Sequence, residues 1–545
     1  MSGNLIRSMC VWGLGLAALL CADVCAAAAE KESDQGPPLS ERERVAHVLN
    51  RMAFGPSPGQ VDHLLEIGVK KWMREQLSPS TIDDAGVDQY INENCPSLRM
   101  TSGEIFRAYR PPYENDPPTM EETQQRSRMR NQVREELRES VCYRAVYSQR
   151  QFQEVIVAFW REHFSIDQNK DDVGYLANSW ETEVIRRFAF GKFENLLLAS
   201  ARHPAMLIYL DNIISQKPLT ESEQNLVDRY GTRDNVPSSV RALQRYRGLN
   251  ENYARELMEL HTLGVDRGYT QQDVTELARV LTGWTARWSD GSSYGMEPDR
   301  KGNLPDYAFY FNKEYHDRGE KTLLGTSLRG GDEEQGVEVI RSLACHRLTA
   351  EFVSRKLCAY LLRDQPSEAL VAQVAEVFLK SGGDLPKVYE AIVFSDDFFY
   401  RQNHRVKFKT PFEFVVSSLR ATGAEIEDFR GIDRELRQMG QATYQCPDPT
   451  GWYDKAEAWL DPGVLVYRWT FALDLAGNKL DGVRVPESVL ANLPGSTLRH
   501  KLTRAVLPAG LSERTRAIID DTLGQSPESQ ELLGVLLGSP DFQQQ

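Results

Sequence analysis

The sequence predicts an all-α protein: a multi-helical globular chain with one small inserted β-hairpin. Three observations carry this. Apolar residues recur at helical spacing along the chain, hydroxyl–carboxylate pairs stand where helices should start, and strand-like patterning is confined to one stretch.

The first element precedes the fold. Arg7 gives a short positive region, residues 9–20 an apolar run, and Cys25-Ala26-Ala27-Ala28 small residues for cleavage. That is the pattern of a secretory signal peptide over residues 1–28; a lipoprotein signal is the alternative, because Cys21 follows the apolar run. Residues 29–39 are polar and small, with Pro37 and Pro38, and form a linker to a single large helical region over residues 40–545. No later stretch reaches the ~20 apolar residues of a membrane helix. The chain is expected to be exported, periplasmic or extracellular, with no membrane span in its mature form.

Ser40 and Glu43 form a capping box, followed by Val45, Val48, Leu49 and Met52 on one helical face. A second helical segment carries Val61, Leu64 and Leu65, then Trp72 and Leu77 beyond Gly68. Past a Pro-rich loop, residues 120–149 repeat Met129, Val133, Leu137, Val141 and Ala145 every four positions. Arg126, Arg128, Arg130 and Arg134 on that helix read as a solvated face balanced by Glu135, Glu136 and Glu139. Phe152, Val155, Ile156, Phe159, Trp160, His163 and Phe164 give the clearest amphipathic helix. Further helices are expected at 179–190, 193–202, 250–263, 271–282, 333–344, 350–362, 367–380, 386–394 and 411–421. The last opens with a second box, Thr410 to Glu413, with Pro411 at its first position. The hairpin is expected over 307–325, its strands Tyr307–Phe311 and Thr322–Gly325 flanking the polar turn His316-Asp317-Arg318-Gly319.

Composition bounds the function. At 545 residues, 41% hydrophobic and 26% charged, the chain is not wholly disordered. With 78 acidic against 64 basic residues the net charge is −14, which argues against nucleic acid as partner. Loss of the leader leaves Cys95, Cys142, Cys345, Cys358 and Cys446. Cys95–Cys142 is the favoured disulfide, and small buried residues are the alternative. Gly291-Ser292-Ser293-Tyr294-Gly295 matches a nucleophile elbow in letters but lacks the strand and helix around it. There is no HExxH, CxxC or phosphate-binding glycine loop.

Polar residues on apolar faces are the candidates for chemistry. His163 sits on the stripe of its helix. Glu256 falls beside Leu260 on the face marked by Tyr253 and Leu257, with Asn252 one turn earlier, Arg255 and Glu259 outward, and His261 about 140° away. Burying His163 or Glu256 without a partner costs about 1–3 kcal/mol. One polar pocket is therefore expected, built from His163, Glu256 and His316, with Asn252, Arg255 and Asp317 in its walls. Glu256, His163, His316 and Asp317 are then the catalytic candidates, and His163, Glu256 and His316 a ligand set for a divalent metal such as zinc. Separate structural contacts are the competing reading.

Several motifs in order carry a resemblance. They are His47-Val48-Leu49-Asn50-Arg51 with Phe54-Gly55-Pro56, Phe159-Trp160 with His163-Phe164, and Pro204-Ala205-Met206-Leu207 with Tyr209-Leu210-Asp211. Asn250-Glu251-Asn252 with Ala254-Arg255-Glu256, Leu281-Thr282-Gly283-Trp284, His316-Asp317 with Gly319 and Lys321, Gly440-Gln441 and Gly451-Trp452 complete them. Together they resemble the bacterial domain-of-unknown-function 1800 family over nearly the whole mature chain. The resemblance implies an exported protein without an established general activity. It also implies an exported partner from the domain-of-unknown-function 1501 family, whose fold is similar to alkaline phosphatases and sulfatases.

Two functions fit. One is a binding or assembly factor for a secreted partner protein or surface polymer, motivated by a helical chain with no strong catalytic signature. The other is a metal- or carboxylate-dependent enzyme acting on polysaccharide, motivated by Glu256 and the histidines, with Trp284, Trp288, Trp452 and Trp459 able to stack sugars.

Overall fold

Side-chain caps set the helix starts. Ser40, Thr101, Thr119, Thr220, Thr270 and Thr410 each accept the backbone N–H three residues on, and that residue's carboxylate reaches back to the cap's own N–H. Each such cap satisfies donors orphaned by the first turn and contributes about 1 kcal/mol. The computed structural model describes residues 37–110, 117–231, 236–237, 240, 248–286, 307–490, 495–523 and 527–545. The signal peptide, residues 29–36 of the linker, Trp288 and the 291–295 motif lie outside the described residues.

The described chain is 64% helical. Helices Glu41–Met52, Phe193–Arg202, Glu333–Ala344 and Pro411–Thr422 fall where periodicity and caps put them. Val133, Leu137, Val141 and Ala145 are buried along Met120–Tyr147. Two of the glutamates expected to balance its arginines are committed elsewhere. Glu136 accepts the Ser97 amide at 2.8 Å and Glu139 the Tyr90 hydroxyl at 2.8 Å. Apolar side chains from Val45 to Phe542 form the main core, and Phe408, Ala456, Trp459 and Leu465 a second, smaller cluster. Trp160 Nε1 donates to the Tyr389 hydroxyl at 2.7 Å, which donates to the Ala189 carbonyl at 2.7 Å. Among the described residues no helix is long and apolar enough to cross a membrane.

Two helical runs widen into π-helices, Trp180–Arg186 and Leu257–Thr262. In the second, Leu257, Met258 and His261 face the core, whereas Glu256 and Leu260 are half-buried. A π-turn carries one residue more than an α-turn and rotates the next residues of the helix about its axis. His261, one turn after Leu257, is buried beside it; by α-helical counting it stands about 140° from Glu256.

The single expected hairpin is instead two separate pairings. Phe309–Phe311 pairs antiparallel with Trp284–Ala286, and Lys321–Leu323 turns directly into Thr326–Leu328. Leu324 and Gly325 make that turn with φ 49° and 75°, both positive as a type I′ turn requires. Glu425–Ile426 pairs with Val483–Arg484 in a third two-stranded sheet. The expected Cys95–Cys142 disulfide is not formed: all five thiols are free and only Cys345 is exposed. Burial pushes both the Cys95 and Cys142 thiols up, Cys142 to about 12, so each behaves as a small apolar side chain.

Candidate functional site

The helix Gln151–His163 ends with three polar residues whose side chains go three ways. Arg161 turns to the first π-helix, where Glu181 accepts its Nε at 3.2 Å and its terminal nitrogen at 2.9 Å. The Tyr444 hydroxyl donates to the same carboxylate. Burial opposes the Arg161 charge, but Glu181 and Tyr444 outweigh it and hold the pKa above its ordinary value.

Glu162 accepts the backbone N–H of Trp452 at 2.8 Å. The approach depends on Gly451, whose φ is 73° and whose added Cβ would collide with the Glu162 carbonyl oxygen. Burial raises Glu162 to about 7, with the Trp452 amide, Arg161 and Lys356 pulling it back.

His163 is 2% exposed. Its Nε2 donates to the His261 carbonyl in the second π-helix at 3.2 Å. Because a carbonyl only accepts, that bond fixes the tautomer and leaves Nδ1 to accept from Lys356 Nζ, 3.0 Å away. Burial keeps His163 well below the usual imidazole range, reinforced by Lys356 and His261. Burial also lowers Lys356 to about 8, against the pull of Glu162 and Asp454.

Glu162, His163 and Lys356 open on a cavity of ≈ 520 Å³, whose apolar walls include Phe54, Phe159, Phe352, Tyr360, Phe412 and Trp452. That is the volume of a small-molecule site. Asp364, Glu413 and Asp454 also line it. The buried Lys407 ammonium donates to Asp364 at 2.8 Å and to Asp454 at 2.7 Å. Burial raises Asp454 to about 7; Lys407 opposes this, and Glu413 and Asp364 add to it.

Of the four catalytic candidates read from the sequence, His163 alone lines this cavity. His316 is buried, its ring nitrogens 2.8 Å from the Thr282 carbonyl and 2.8 Å from the Gly331 carbonyl. Asp317 accepts Arg279 Nε at 2.8 Å and the Gly319 amide at 2.8 Å. Lys321 donates to the Asp317 and Gly319 carbonyls and to Gln335. The His316–Lys321 motif is thus a knot tying its loop to the helices Gln271–Val280 and Glu333–Ala344. Glu256 is half-buried, raised to about 7 by burial with Glu259 and Asp448 adding. Asn252 is exposed, and Arg255 meets Glu251, Glu259 and Gln271 at the surface. Among the described residues no three His, Cys, Asp or Glu side chains are placed to hold one metal ion, so the set His163, Glu256 and His316 is not assembled. His316 commits its ring nitrogens to the Thr282 and Gly331 carbonyls, and His163 commits its own to the His261 carbonyl and Lys356.

Of the tryptophans, Trp452 lines the cavity, while Trp284 and Trp459 are buried packing residues. Sequence reading missed Glu162, Lys356 and Asp454. Glu162 stands between two residues of a noted motif, and Gly451-Trp452 was the sign that something needs close backbone approach. Lys356 had no such sign, being 193 positions from His163.

A family model described as "Protein of unknown function (DUF1800)" matches residues 47–544. The chain belongs to that family. No curated protein and no solved structure matches it.

Proposed function

We propose that this family member is an exported acid–base enzyme acting on a ligand with an apolar face and polar edges, such as a unit of a surface polysaccharide. The observation that carries the reading is the meeting of Glu162, near pKa 7, and Lys356, near pKa 8, in one aromatic-walled cavity. A carboxyl titrating near neutrality can give a proton to a leaving oxygen and take one back. Trp452 and Phe352 supply flat apolar surface for a sugar ring. Arg161 and Glu181 brace the helix end that presents Glu162.

The test is turnover of bacterial surface-polysaccharide fragments by the secreted protein, followed by mass spectrometry of products. Glu162→Gln should cut the rate about 100-fold or more with the far-ultraviolet dichroism unchanged. Fragments left intact by the wild type, with no rise in its melting temperature, would remove the reading.

A second reading is a binding or assembly factor for an exported protein of the domain-of-unknown-function 1501 family. It is favoured by large apolar side chains left exposed: Tyr453 at 58%, Val466 at 46% and Tyr467 at 45%. Copurification that is lost in a Tyr453→Ser, Tyr467→Ser double variant supports it.

A further inference from the structure

We propose that Lys356 is a covalent site: an amine that forms an imine with an aldehyde or ketone ligand inside the aromatic cavity. This rests on the acid–base reading above and names the ligand class for the same site.

The geometry of one nitrogen carries it. Lys356 lines the cavity, and the polar partner of its Nζ is a neutral imidazole, His163 Nδ1 at 3.0 Å. Among the described residues no carboxylate lies within ion-pair distance, 4.0 Å, of that ammonium. Lys407 shows the contrast: it is buried between two carboxylates at 2.8 and 2.7 Å, which hold it as a cation despite burial. An imidazole with its N–H turned away to a carbonyl orients an amine without fixing its charge. The ring of Phe352, its centroid 5.6 Å from Nζ, gives the ammonium a cation–π attraction, far weaker than a carboxylate at ion-pair distance. A lysine so placed gives up its proton far more readily than one in water, and the free amine is the nucleophile. The lowered Lys356 pKa agrees with this.

The step balances without any further reagent. The neutral amine attacks the carbonyl carbon, and the oxygen takes a proton from the Glu162 carboxylic acid. The resulting carbinolamine loses one N–H proton to the Glu162 carboxylate through a bridging solvent molecule. Glu162 then protonates the hydroxyl, which leaves as water while the nitrogen lone pair closes the C=N bond, and the N–H proton of the resulting iminium returns to the Glu162 carboxylate. One carbonyl and one amine become one imine and one water, with no change in oxidation state.

The experiment is reductive trapping. The secreted protein is treated at pH 7 with propanal and cyanoborohydride, and alkylation is mapped by peptide mass spectrometry against time. Lys356 should be alkylated at least about tenfold faster than the exposed Lys380 and Lys387, because a lysine near pKa 8 has far more free amine at pH 7 than one near 10.4. Lys356→Met should lose only the fast label. If that variant does not fold, the competition within the wild type still decides. Labelling of Lys356 no faster than Lys380 overturns the proposal. The outcomes separate the two readings. An unreactive Lys356 with turnover still dependent on Glu162 removes the imine alone. A trapped Lys356 with no turnover of any fragment removes the acid–base enzyme and keeps the amine site.

Discussion

Gly451 is where one missing carbon decides the site. Its φ of 73° is a conformation that side chains rarely adopt, and the space for a Cβ is filled by the Glu162 backbone. Gly59 has a similar φ of 78° but open space around it. Ala at Gly59 therefore reports the cost of the backbone conformation alone, on the order of 1 kcal/mol. Gly451→Ala adds the collision and should destabilise by about 1–3 kcal/mol more, measured by urea unfolding. It should also break the Trp452 N–H bond to Glu162 and so shift the Glu162 titration. Equal losses at the two glycines would show that the 451–452 segment moves aside freely, and that Glu162 is not held by it.

At the scale of elements, most of the fold was legible because its causes are local. A capping box is read within four residues, and a stripe such as Val133, Leu137, Val141 and Ala145 within a few turns. The π-helix Leu257–Thr262 was not legible. It changes the register by a single residue, and no residue type in that run announces it. The hairpin failed for a related reason: the polar turn is shaped by Thr282, Gly331 and Arg279, all distant in sequence. Among the site residues, His163 was found because it breaks an apolar stripe; Glu162 stood on the side counted as polar. The buried histidine of that run has a checkable consequence. His261 is 1% exposed, and neither ring nitrogen has a hydrogen-bond partner. Its service to His163 is through the backbone carbonyl, which any residue supplies. His261→Phe removes two buried unsatisfied atoms and keeps the ring packed on Phe164, 5.0 Å away between centroids. The variant should be as stable as the wild type or more so by about 1 kcal/mol. A loss of more than that in urea unfolding would mean that a ring nitrogen is bonded in the folded protein.

At the scale of the whole molecule, buried histidines and carboxyls set opposite dependences on acid. Burial lowers His203 and His261 to about 3 and His404 to about 4, and holds His47 and His163 well below the ordinary value. These groups take up protons in the unfolded chain first. Their contribution to stability is complete above about pH 6.5 and falls away as pH drops through the folded values. Burial raises Glu162, Glu256 and Asp454 to about 7. Here the folded chain binds the proton first, so their contribution is present below about pH 4 and is lost as pH rises through 7. Between about pH 6.5 and 4.5 the three carboxyls offset three of the five histidines and leave a net loss from the other two. Below about 4.5 the carboxyls are protonated in both states and the offset ends, while the histidines still demand protons. Each contributes a slope of up to about 1.4 kcal/mol per pH unit. Stability from urea unfolding should therefore fall from pH 6.5 to 4.5 at less than half the full slope of the histidines and fall more steeply below that. A fall that begins at full slope just below pH 6.5 would show that Glu162, Glu256 and Asp454 are ionised in the folded protein, and would remove the proton donor on which the proposed chemistry depends.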